Sequence, residues 1–85
     1  MNKVLEKIKE EITEPMKEMD IIVDSVTYEE EGSYNFLRIE LDKVTGLDLD
    51  TIVEATNVIN PIIDRLDLID DSYILDIVSK EKGEN

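Results

Sequence analysis

From Asn35 to Asp42 the side chains alternate without a break. Leu37, Ile39 and Leu41 share one side, and Phe36, Arg38, Glu40 and Asp42 share the other. A period of two is the signature of a half-buried strand, because successive Cβ atoms point to opposite faces of a sheet. Any fold for this chain must therefore bring an apolar layer over one sheet face. The preceding segment, Ile21 to Tyr28, is rich in β-branched residues and reads as a second strand. Glu29 to Ser33 reads as a solvated turn of several residues, which joins the two strands into an antiparallel hairpin.

The covering layer is visible on either side. From about Asn2 to Met19, the residues Val4, Leu5, Ile8, Ile12, Met16 and Met19 recur at spacings that place them on one helical face. Pro15 removes one backbone donor and is expected to bend this helix or restart its turn. After Gly46, Asp48 is a suitable N-cap for a second helix, and Asp50 suits its positive end. Its expected buried stripe is Leu49, Ile52, Val53, Thr56, Ile59, Ile63 and Leu66, with Pro61 as an interruption. A third strand is expected over Ser72 to Ser79, reached by a right-handed crossover. The fold class is α+β: a two-layer α/β sandwich in the order α-β-β-α-β, with two helices on one face of a three-stranded sheet. Residues 1–79 form the domain, and residues 80–85 read as a flexible tail.

That arrangement leaves the second sheet face without a helix. Phe36 lies there, and so do Ile74 and Val78, opposite Leu75 and Ile77. An apolar patch of this kind marks a contact surface for a partner or a second domain, although scattered exposed apolar residues are common.

Charge narrows the partner. Nine Lys and Arg stand against twenty-two Asp and Glu, a formal net charge of −13. Phosphate backbones are held by neutralising them with cations, so broad capture of nucleic acid, DNA included, is disfavoured. A basic protein is the better electrostatic match, with simple solubility as the plainer explanation of the acids. With neither Cys nor His, the chain has no thiol nucleophile, no disulfide, and neither the commonest general base nor the commonest metal ligand. Asp42, Asp48 and Asp50, and the later group Asp64, Asp67, Asp70 and Asp71, do not follow the spacing of a calcium loop. No pair of acids is placed across a cleft, and the glycines Gly32, Gly46 and Gly83 never approach the Gly-x-x-Gly spacing of an RNA clamp. No enzyme activity, cofactor or metal is expected. Neither a signal peptide nor a membrane span is legible, so a cytoplasmic location is expected.

Several segments resemble the N-terminal domain of RimP-type ribosome maturation factors. Glu14-Pro15-Met16-Lys17-Glu18-Met19 is similar to the end of that family's first helix, and Ile22 to Val26 to its next strand. Leu37-Arg38-Ile39-Glu40-Leu41-Asp42, then Gly46-Leu47-Asp48-Leu49-Asp50, resembles the family's Leu-Arg-Val-x-Ile-Asp strand, turn and Leu-Asp helix start. Tyr73-Ile74-Leu75-Asp76-Ile77 is similar to its Tyr-x-Leu-Glu-Val strand. The resemblance implies a non-enzymatic factor that binds the free small (30S) ribosomal subunit, meeting a basic small-subunit ribosomal protein and neighbouring 16S rRNA. The family continues through Ser-Ser-Pro-Gly into a C-terminal SH3-like domain, which is not expected within residues 1–85. Val78 to Gly83 keeps one Ser and lacks the Pro-Gly pair. The alternative is a stand-alone acidic adaptor with an unrelated basic partner. Candidate partner-binding residues are Arg38, Asp42, Asp48, Asp50, Phe36, Ile74 and Val78.

Overall fold

A computed structural model describes residues 1–80. The elements run α1 (Asn2–Lys17), β1 (Ile22–Glu31), β2 (Tyr34–Asp42), α2 (Leu49–Leu66) and β3 (Ile74–Ser79), in the expected α-β-β-α-β order. The sheet order is β1-β2-β3. β1 pairs antiparallel with β2, and β3 pairs parallel with β2. Of the expected tail, residues 81–85 lie outside the described residues. Lys80 carries the ladder one step beyond β3, its N–H donating to the Leu41 carbonyl at 2.7 Å.

Both helices pack on one sheet face around Leu37, Ile39 and Leu41, each fully buried, as alternation requires. Ile8, Ile12 and Met16 meet them from α1, and Ala55, Ile59 and Ile63 from α2. Burial of this kind drives folding at about 25 cal/mol per Å² of apolar surface removed from water.

Three expectations change. Leu49 and Val53 are exposed, by 75% and 49%, while Ala55 is fully buried. At 100° per residue, Val53 lies about 120° round the helix from Ile59, whereas Ala55 lies only about 40° away. Hydrophobic residue type had outweighed phase. The hairpin is also tighter than the run of glutamates suggests. Glu31 pairs with Tyr34, so the turn is only Gly32 and Ser33. Gly32 has φ +62°, and glycine at the first of two central positions suits a turn that follows strand twist. Finally, α1 is continuous through Pro15 and α2 through Pro61.

Both helices end through aspartates in the left-handed region. Asp20 has φ +61°, and its N–H donates to the Lys17 carbonyl while that of Ile21 donates to the Met16 carbonyl. This is the Schellman pattern, with its usual apolar contact between Ile21 and Met16, both buried. It turns the chain sharply from α1 into β1. Asp67, at φ 49°, closes α2 by donating to the Ile63 carbonyl.

Candidate functional site: the open sheet face

The register fixes which side chains share the uncovered face. Thr27 is opposite Arg38, Glu29 opposite Phe36, and Glu31 opposite Tyr34. On the other side of β2, Ile74, Asp76 and Val78 lie beside Phe36, Arg38 and Glu40. Directly opposed residues point to the same face, so these side chains form one surface.

Arg38 organises its centre. Its Nε donates to Asp76 Oδ2 at 2.8 Å, its Nη1 to Glu29 Oε1 at 2.6 Å, and its Nη2 lies 3.6 Å from Glu31 Oε2. The guanidinium stands 5.7 Å from the centroid of the Phe36 ring, within cation–π range. The hydrogen bond that Arg38 donates to Asp76, followed by the fields of Glu29, Asp76 and Glu31, raises the Arg38 pKa further above its ordinary value. Arg38 is thus committed to carboxylates of its own chain, and its acids outnumber it. A second cation, Lys80, reaches Asp24 at 3.1 Å, and the hydrogen bond to Asp24 raises its pKa. Glu40 accepts from the Ser25 hydroxyl at 3.3 Å. The surface is a lattice of acids braced by two internal cations, with apolar contacts at Phe36, Val78 and the 44%-exposed Ile74.

Five of the seven expected residues therefore belong together: Phe36, Arg38, Ile74 and Val78 on the open face, and Asp42 at its β2 end. Asp42 Oδ1 accepts from the Lys43 N–H at 2.8 Å. Asp48 and Asp50 stand apart at the start of α2. Asp48 accepts from the Thr51 N–H at 2.8 Å, and hydrogen bonding from Thr51 lowers its pKa. Glu29, Glu31 and Asp76 were missed. The signal for both glutamates is the Gly32-Ser33 pair: a two-residue turn there extends the alternation of β1 and carries Glu29 and Glu31 to the Phe36–Arg38 face.

A hollow of about 380 Å³ lies elsewhere, between the end of α1 and the loop after β2, lined by Lys17, Asp20, Ile22, Lys43 and Val44 among others. Lys43 Nζ donates to the Met19 carbonyl there at 2.9 Å, which ties the loop to the turn after α1. At the hairpin end, the Tyr28 hydroxyl is buried without a hydrogen-bond partner among the described residues. Burial, then Asp71 and Glu30, raises its pKa. Burial, then Asp64 and Asp67, does the same for Tyr73. Among the described residues no three acids are grouped as a metal ion requires, and no helix is long and apolar enough to cross a membrane. The family model described as the RimP N-terminal domain matches residues 5–80.

Proposed function

The chain belongs to the RimP N-terminal domain family, a ribosome maturation factor family, and from that premise we propose that it is a non-enzymatic binding domain for the free small ribosomal subunit in the cytoplasm. The family match over residues 5–80 carries this reading. In it, the open sheet face meets a basic small-subunit ribosomal protein beside 16S rRNA, and Asp48 and Asp50 add to the field that steers the approach. The net charge of −13 supports a basic partner over bare phosphate. The carboxylates held by Arg38 and Lys80 support a surface whose side chains are already ordered before contact, which lowers the entropy cost of association. An SH3-like domain, as in the family, would add affinity by tethering rather than by new contacts here.

Cosedimentation with free small subunits at low and raised salt tests the proposal. Binding is expected at low salt and is expected to weaken as salt rises, because exposed charges are screened within about 10 Å at 0.1 M. Joint Glu29→Lys and Glu31→Lys changes should weaken binding more than joint Asp48→Asn and Asp50→Asn changes. No cosedimentation at low salt would remove the small-subunit reading. Salt-sensitive binding that depends only on Asp48 and Asp50 would move the interface from the sheet to the start of α2.

A further inference from the structure

The two edges of the sheet are built differently. β1 is interrupted by a bulge between Val23 and Ser25, and Asp24 at the bulge is held by Lys80. Its far half carries Glu29, Glu30 and Glu31 in succession. Bulges and charges are the usual devices by which an edge resists further pairing. β3 has neither a bulge in its register nor a proline, and its one charged residue, Asp76, is engaged by Arg38.

The direction of the β3 backbone groups follows from one bond. Lys80 N–H donates to the Leu41 carbonyl, and Ser79 is the register partner of Leu41. In a parallel ladder alternate residues address the neighbour, so Ile74, Asp76 and Val78 point their N–H and C=O groups at β2. Leu75, Ile77 and Ser79 point theirs outward, and among the described residues no loop or side chain pairs with them. Leu75 and Ile77 are only half-buried, although Leu37 and Ile39 in register beside them are fully buried.

We propose that the free edge of β3 takes up an extended, basic, strand-forming segment of a partner protein as a fourth strand. Main-chain bonds to Leu75, Ile77 and Ser79 would supply the grip, as in other cases of strand addition. Charge selects the occupant. Asp64 and Asp67 at the end of α2 act on Tyr73 just before β3, and Asp70 and Asp71 precede it in the chain, so the entry to this edge is acidic. A second copy would bring another net charge of −13 against the first. The proposal rests on the reading that the partner is basic, and it adds the edge, the backbone groups and the extended conformation of the segment.

Amide hydrogen exchange of the chain, with a short synthetic peptide alternating lysine and valine, tests it. Exchange at Leu75, Ile77 and Ser79 is expected to slow by about tenfold or more, with Asp76 and Val78 changed less because they already bond β2. The same peptide with its edge-facing amides N-methylated keeps its charge and loses the ladder, so it should give no such protection. Ser79→Pro removes an outward donor that the sheet does not use, and should weaken the peptide while leaving the melting temperature close to the parent's. Equal protection by the methylated peptide, protection on β1 instead, or no peptide binding would each overturn the proposal. So would slowing at the same amides that depends only on protein concentration, since a second copy would then be the occupant. Cosedimentation with small subunits is read separately, so loss of the edge proposal leaves the subunit reading standing or falling on its own result.

Discussion

The two faces of the central strand differ in what holds their side chains. On the covered face Leu37, Ile39 and Leu41 are fully buried against both helices, and their positions follow from apolar packing. On the open face Phe36, Arg38 and Glu40 are only partly buried, and they are held by charge pairs, a hydrogen bond from the Ser25 hydroxyl and one cation–π contact. Packing in a close-packed interior is intolerant of lost volume. Surface ion pairs are individually weak and screened by salt. One strand thus carries a structural face and a face free to serve recognition, and adjacent residues should respond very differently to substitution.

The sharpest contrast is between Ile39 and Phe36. Ile39→Ala should cost roughly 2 to 5 kcal/mol in denaturant unfolding, a large share of the stability of a domain this small. Phe36→Ala should cost less, since its ring has water on one side. Equal losses would mean that the open face contributes a core of its own and would break the distinction.

Arg38→Met should give an intermediate effect with a diagnostic salt dependence. It keeps much of the apolar stem and leaves Glu29, Glu31 and Asp76 facing one another without their shared cation. Stability should fall at low salt, and the deficit should shrink as salt screens the carboxylates. A deficit that ignores salt would show that Arg38 acts through packing, like its neighbours on the covered face.

The smallest effect is expected off the sheet, at Asp48. Hydrogen bonding from Thr51 holds its carboxyl below the ordinary value of 3.8. The stabilisation from the charged cap is therefore complete above that value and is lost as pH falls through the lowered, folded-state value. Asp48→Asn caps at every pH, so near neutrality it should melt close to the parent, and its acid-limb melting curve should be the flatter of the two. Matching acid limbs would rule out the charged form of this cap as a source of the acid sensitivity.

The parts legible in the sequence are those set by short-range periodicity. The period-two run of β2 and the three-and-four spacing of α1 are properties of neighbouring residues, so the buried set Ile8, Ile12, Met16, Leu37, Ile39 and Leu41 could be read directly. Asp48 was equally legible, because a cap acts within one turn of the helix. Phe36, Ile74 and Val78 could be placed on the uncovered side by parity alone.

What needed the tertiary structure was everything set by pairing across the chain. Glutamates after Tyr28 read as a loop because an isolated strand with three successive acids is unfavourable; pairing with β2 supplies their backbone bonds, and Arg38 draws Glu29 and Glu31 onto the face. Ala55 became core, and Val53 did not, because Ala55 lies on the side of α2 that Ile59 and Ile63 turn to the sheet and Val53 does not. The place of β3 beside β2, and hence its open edge, depends on a parallel pairing between segments more than thirty residues apart. Local propensity shows which residues can form a strand. Only the closed fold decides which neighbour satisfies its N–H and C=O groups, and which of them remain for a partner.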